Sequence, residues 1–205
     1  METSTIMKSK STIIGLTGGI ASGKTAAANI LQECGAYIID ADVLARKALE
    51  PGGEGERQIK KAFPEAFEGG RLDRKKLRSI AFADPAKAAA LDGITHPIIV
   101  RLIEEELERS KLGNKLTVLV VPLLFETGLQ RLCDYTVQIS ADRNLRIKRA
   151  TERDNVTIEG VEAIIARQLP DAERERLADR VVYNNGGLDD LKKQLLTVTN
   201  INYKI

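Results

Sequence analysis

The sequence predicts an α/β protein of three layers, a parallel sheet between helices, broken once by a helical insertion. Three observations predict it. Short apolar runs alternate with helix-forming stretches over much of the chain. The first run passes without a gap into a glycine-rich stretch, "GLTGGIASGKT", residues 15–25. From about Glu56 to Lys111 the alternation stops and the patterning is almost wholly helical.

The first strand is read over Thr12–Thr17 (T-I-I-G-L-T), and the loop follows it directly. Gly18 to Thr25 fits G-x-x-x-x-G-K-[ST], the phosphate-binding pattern. Bare glycines let the backbone curl until several N–H groups face one anion, and the next helix adds the partial positive charge of its N-terminus. The candidate ATP-binding residues are therefore Gly18, Gly19, Ile20, Ala21, Ser22, Gly23, Lys24, Thr25 and the adjoining Ala26. Lys24 is placed to reach the β- and γ-phosphates, and the Thr25 hydroxyl to ligate Mg²⁺. Lys24–Cys34 is strongly helix-forming, with Gly35 as its C-terminal cap.

Ala36–Asp40 reads as a second strand and Val43–Leu49 as a helix. "PGGEG" at Pro51–Gly55 then breaks the chain. The insertion that follows is read as helical, with breaks at Pro64, Gly69–Gly70, Pro85 and Gly93–Pro97. Within it Ile98, Ile99, Leu102, Ile103 and Leu107 share one helix face, opposite the acidic Glu104–Glu106. Alternation resumes at Leu116–Val121, an apolar run typical of a central parallel strand, and Tyr135–Ser140 is another strand. A basic helix at Arg143–Arg153, a helix at Ile158–Leu169 ended by Pro170, a strand at Arg180–Tyr183 and a C-terminal helix complete the reading.

Composition excludes several classes. The 205 residues are 29% charged and 43% hydrophobic, with a net charge of +2, so there is neither disorder nor a nucleic-acid footprint. The longest apolar stretch, Val118–Phe125, is too short to span a bilayer. Residues 1–11, "METSTIMKSKS", have no apolar core and are expected to be a flexible polar extension rather than a secretory signal. Cys34 and Cys133 have no metal-ligand spacing and read as reduced thiols of a cytoplasmic protein.

Two further features bear on chemistry. "IDAD" puts Asp40 and Asp42 at the carboxyl end of the second strand, where open parallel sheets bind ligands. One of these carboxylates is suited to take a proton from an attacking hydroxyl and the other to hold Mg²⁺ through water, although Asp40 is equally suited to cap the next helix. Arg143, Arg146, Lys148, Arg149 and Arg153 share the basic helix, which is either a solvated face or a cationic lid over ATP. The GTPase motifs N-K-x-D and D-x-x-G are missing, and "LVVP" reaches Pro122 where many ATPases have an Mg²⁺-linked Asp. A small-molecule kinase is left.

The residues resemble the dephospho-coenzyme A kinase family over nearly the whole chain from Thr12. The resemblance rests on "GLTGGIASGKT", "IDAD" with "VLAR" (Val43–Arg46), "THP" (Thr95–Pro97), "VPLLFE" (Val121–Glu126), "RATERD" (Arg149–Asp154) and "NNGG" (Asn184–Gly187). It implies transfer of the ATP γ-phosphoryl group to the ribose 3′-hydroxyl of dephospho-CoA, the last step of coenzyme A synthesis; a nucleoside-monophosphate or shikimate type of kinase is the alternative. It also implies a P-loop kinase-like fold with a five-stranded parallel sheet, a helical CoA-binding insertion (about 51–113) and a lid (about 143–170). Carried over by motif, Asp42 looks like the general base and Arg149 like a lid cation, joining Lys24 in catalysis, with Arg153 on ATP. Asp40, Asp42 and His96 are the candidate substrate-binding residues, His96 being either a contact or a subdomain hinge. Expected partners are ATP, Mg²⁺ and dephospho-CoA, with no nucleic acid or membrane, in a monomer or small homo-oligomer. Phe125 and Glu126 are either contacts of the kind the resemblance implies or residues that pack the loop after the strand. Two positions depart from the family pattern: Ala21 stands where glycine is usual, and Ala26 where Ser or Thr is usual.

Overall fold

The computed structural model describes residues 11–113, 116–154 and 156–200. The expected N-terminal extension therefore lies outside the described residues, apart from Ser11. The described chain forms two compact units, one running to Ile39 and again from Ser110, the other Asp40–Arg109.

The first unit is built on a five-stranded sheet of order β2-β5-β1-β6-β7. Its strands are β1 (Thr12–Gly18), β2 (Tyr37–Asp40), β5 (Leu116–Val120), β6 (Tyr135–Ser140) and β7 (Arg180–Tyr183). β1 pairs in parallel with β5, Ile14 opposite Val118, and with β6, Leu16 opposite Val137. Successive residues of β1, Ile14 through Gly18, are all buried, so both faces of this strand are covered. Helices α1 (Lys24–Glu33) and α9 (Leu188–Thr199) supply Leu31, Leu191 and Leu195 to the core formed with Ile14, Leu16, Val118 and Ile139. Gly35 takes φ 90° just past α1, the left-handed turn expected of its cap.

The rest of this unit is α6 (Arg143–Asp154), α7 (Ile158–Ile165) and α8 (Asp171–Leu177). Two expectations change here. The helix expected to reach Leu169 stops at Ile165, and α8 is an additional helix. Pro170 holds the preceding residue out of the helical region, and α8 restarts with Asp171 and Glu173 in its first turn and Arg174 and Arg176 in its last, complementing the helix dipole.

The second unit holds α2 (Ala41–Ala48), α3 (Glu54–Ala62), α4 (Arg74–Ala83) and α5 (Pro85–Ser110), with a small hairpin, β3 (Phe67–Glu68) and β4 (Arg71–Leu72). Ile59, Phe63, Ala66 and Leu77 form its core, with Leu49, Leu72, Leu91 and Ile94 packed against them. The hairpin amends the almost wholly helical reading at the break expected there: Gly69 and Gly70 take φ 55° and 80°, the pair of left-handed residues that a two-residue turn requires. The break expected at Gly93–Pro97 is also overturned, because α5 runs through it. Pro97 cannot donate to the carbonyl four residues back. The helix persists because Ile98, Ile103 and Leu107 are buried along it, and the Thr95 hydroxyl donates to the Leu91 carbonyl at 3.0 Å.

Candidate active site

The loop between β1 and α1 is shaped by three residues with positive φ: Gly18 at 157°, Ala21 at 54° and Gly23 at 103°. Gly23 is required twice over, since a Cβ there would also collide with the side-chain amide of Asn184. No side chain caps the N-terminus of α1, and no acidic residue lies in its first turn, an arrangement that suits an anion. The Lys24 ammonium donates to the Gly18 and Gly19 carbonyls at 2.6 and 3.1 Å, which folds it over the loop. Ser22 is fully buried.

A cavity of about 420 Å³ opens on this loop. Ala21, Gly23, Lys24, Thr25 and Ala26 line it, together with Arg149 and Arg153 of α6. The structure thus brings together five of the loop candidates and both lid candidates. Asn184, Gly186 and Gly187, which the sequence marks only as part of "NNGG", complete the lining with Leu188, which it does not mark. Asn184 is 6% exposed. Its side-chain amide donates to the Ser22 carbonyl at 2.8 Å, and its backbone N–H to the Ser140 carbonyl at 2.7 Å.

The two arginines differ. Arg149 is half-buried and donates from Nη1 to the Asn184 carbonyl at 3.0 Å. Arg153 is exposed and donates to both Asp154 oxygens at 2.7 Å, a pairing that pushes the guanidinium up and holds the Asp154 carboxyl below its usual range. Arg146 does not belong to a solvated basic face, because it is 1% exposed.

Asp40 caps α2: its Oδ1 accepts the N–H of Asp42 at 2.8 Å and of Val43 at 3.2 Å. Asp42, in the first turn of α2, lines a groove of about 660 Å³ in the second unit. The same groove has Arg46, Arg74 and Arg78 beside the apolar Leu49, Leu77 and Phe82. Thr95 and Ile99 line it as well; His96, half-buried between them on α5, is not among its lining residues. Because α5 is continuous there, His96 does not sit at a helix start. Glu126 accepts the Leu169 N–H at 3.0 Å, joining the loop after β5 to the chain before α8.

Neither cysteine is poised for chemistry. Burial pushes the Cys133 thiol up to about 12, with a smaller push from Asp134, and burial raises Cys34 as well. Among the described residues no cluster of His, Cys, Asp and Glu could by itself hold a metal ion. No described helix is long and apolar enough to cross a membrane.

The dephospho-CoA kinase family profile matches residues 12–190. A dephospho-CoA kinase of Acinetobacter baylyi is 39% identical over 188 residues, covering 91% of this chain and 95% of that one. The Thermus thermophilus enzyme of the same name is 39% identical over 186 residues, 91% of this chain and 89% of its own. A crystal structure from Thermus thermophilus superposes with a TM-score of 0.85 at 38% identity, covering 93% of this chain and 97% of that one. The dephospho-CoA kinase of Campylobacter jejuni gives a TM-score of 0.69 at 26% identity, over 92% and 95% of the two chains.

Proposed function

The chain belongs to the dephospho-CoA kinase family, and from that premise we propose how its residues carry out the family's reaction. That reaction moves the γ-phosphoryl group of ATP to the ribose 3′-hydroxyl of dephospho-CoA, giving coenzyme A and ADP. The O3′–P bond forms, the bond from Pγ to the leaving β-phosphate oxygen breaks, and the hydroxyl proton goes to a carboxylate. A family match from residue 12 to 190 sets aside the nucleoside-monophosphate and shikimate alternatives.

ATP is assigned to the cavity over the loop, with the loop N–H groups and the N-terminus of α1 on its phosphates. Lys24, folded over the loop, balances charge on the β- and γ-phosphates. Arg149 supplies a second cation to the transferred group and Arg153 a third, more exposed one. The observation that carries this assignment is that Lys24, Thr25, Arg149 and Arg153 line one cavity. Asp42 is assigned the proton of the 3′-hydroxyl. Asp40 is assigned to hold the turn that presents Asp42, since its carboxylate accepts the Asp42 N–H.

Mg²⁺ fits as a partner of the nucleotide rather than as a resident of a protein cage. It keeps water and phosphate ligands and needs few protein oxygens, and Thr25 offers one exposed hydroxyl at the cavity. When bound it neutralises phosphate charge. The groove lined by Asp42, with its arginines and apolar floor, is assigned to dephospho-CoA, whose pyrophosphate and pantetheine arm need both kinds of surface. The enzyme is assigned to the cytoplasm, as a monomer or small homo-oligomer; two free cysteines agree with a reducing compartment.

The test is ADP release with dephospho-CoA against AMP, adenosine and shikimate. Turnover with dephospho-CoA alone supports the assignment, and faster turnover with any of the others overturns it.

A further inference from the structure

Behind the phosphate loop, three side chains stand outside the roles above. Arg146 of α6 and Arg174 of α8 are each 1% exposed. Asp171 receives both: Arg146 Nη1 donates to its two oxygens at 2.6 and 2.7 Å, and Arg174 Nη2 donates to Oδ1. A guanidinium taken out of water is costly unless its donors find new acceptors. Here one carboxylate serves two of them, and Arg146 Nη2, Arg174 Nε and Arg174 Nη1 are buried without a hydrogen-bond partner. Packing alone gives no reason to bury two cations on one anion. The loop does.

Arg146 has one further acceptor, the Ile20 carbonyl, to which its Nε donates at 3.0 Å. The Ile20 N–H is held as well, by Gln168 Oε1 at 3.1 Å. Both polar backbone atoms of Ile20 are thus fixed by side chains distant in sequence. The loop also lies hard against the arginines, since a Cβ on Gly19 would stand 2.6 Å from Arg146 Nη2 and 2.8 Å from Arg174 Nη2.

The consequence falls on the next residue. In a planar trans peptide the carbonyl and the following N–H point in opposite directions. With the Ile20 carbonyl turned to Arg146, the Ala21 N–H is turned away from it. Ala21 lines the nucleotide cavity and sits at φ 54°, a left-handed conformation that an L-residue adopts only at a cost. We propose that Arg146 is a positioning residue for the nucleotide. By holding the Ile20 carbonyl it keeps Ala21 left-handed and its N–H presented to phosphate, while Asp171 and Arg174 lock the guanidinium in place. Glycine at this position would reach the same torsion without steric cost; alanine needs the clamp. The proposal rests on the reading that this loop binds ATP.

The test measures kcat and both KM values for Arg146→Met and Arg146→Lys, each with Ala21 and with Ala21→Gly. With Ala21 present, Arg146→Met raises the KM for ATP about tenfold while the KM for dephospho-CoA is unchanged, because the loop relaxes out of the left-handed torsion. Arg146→Lys, which keeps a cation and a donor, recovers part of that loss. In the Ala21→Gly background the penalty of Arg146→Met shrinks to about threefold or less, a non-additivity that a purely structural role does not produce. Equal penalties in the two backgrounds overturn the proposal. If Arg146→Met gives no cooperative melt, Arg146→Lys carries the same comparison, with equal penalties again the overturning result. Wild-type turnover with ATP and dephospho-CoA keeps the two readings apart: an inactive wild type overturns the function, whereas an active one with additive penalties overturns only the role of Arg146.

Discussion

Arg149 donates from Nη1 to the carbonyl of Asn184 at 3.0 Å. Asn184 in turn holds the Ser22 carbonyl through its side-chain amide at 2.8 Å. One buried residue after β7 therefore supports both a cation of α6 and the phosphate loop. A guanidinium fixed in this way would meet a phosphoryl group with little reorganisation, as the proposed transition-state role requires.

For Arg149→Ala we expect kcat to fall about 10²–10³-fold while the KM for ATP changes only a few-fold. Arg149→Lys should recover little, because an ammonium lacks the planar fork that could serve the Asn184 carbonyl and the proposed phosphate contact at once. Steady-state kinetics at saturating dephospho-CoA decide the matter. A change confined to KM would assign Arg149 to uniform binding.

Lys24→Ala is expected to lower turnover by a similar factor, about 10²–10³, with the melting temperature near that of wild type. Its ammonium donates to the Gly18 and Gly19 carbonyls at the cavity, and Lys24 is not part of the hydrophobic core, so the fold is expected to survive its loss. Activity within a few-fold of wild type would remove the phosphate-loop assignment.

The two carboxylates of "IDAD" should separate by readout. Asp42→Asn keeps the shape but cannot take a proton, so kcat should drop roughly 10²–10⁴-fold with little change in dephospho-CoA affinity. Asp40→Ala removes the cap of α2 and should cost about 0.5–2 kcal/mol of stability. Parallel kinetics and thermal melts measure both. Should Asp40→Asn, which retains a capping oxygen, be the deader enzyme, the roles are reversed.

Asp179 carries a pH dependence. Its carboxylate accepts the Thr136 hydroxyl and N–H, each at 2.8 Å, joining the starts of β6 and β7. The Thr136 hydroxyl foremost, then its N–H, holds the Asp179 carboxyl below its ordinary value. A carboxyl lowered by folding stabilises the protein above its unfolded value, roughly pH 3.9, and that contribution disappears as the pH falls through the folded value. Asp179→Asn should therefore melt below wild type near neutral pH, with the gap closing in acid. A gap that stays constant down to about pH 3 would contradict the assignment.

What the sequence discloses depends on how local the cause is. The strand, loop and helix around Gly18–Thr25 are legible because period, glycine placement and cap all lie within one short stretch. The β3–β4 hairpin is hidden because two-residue strands have no period, and only Gly69–Gly70 signals it. At Gly93–Pro97 local propensity reads as a break, and the buried face of α5 overrides it. Arg146 reads as surface charge because its acceptors, Asp171 and the Ile20 carbonyl, are supplied from elsewhere in the chain. Asn184 meets Ser22 across 162 residues, which no window of sequence displays.

A kinase acting on the 3′-hydroxyl of dephospho-CoA leaves its signature in the product. The measurement is the ³¹P spectrum of the purified protein's reaction with ATP, Mg²⁺ and dephospho-CoA. A new 3′-phosphomonoester resonance should grow in step with ADP, one for one, and should be lost with Lys24→Ala. ADP accompanied only by inorganic phosphate, or a phosphate on any other group, would rule out this phosphoryl transfer.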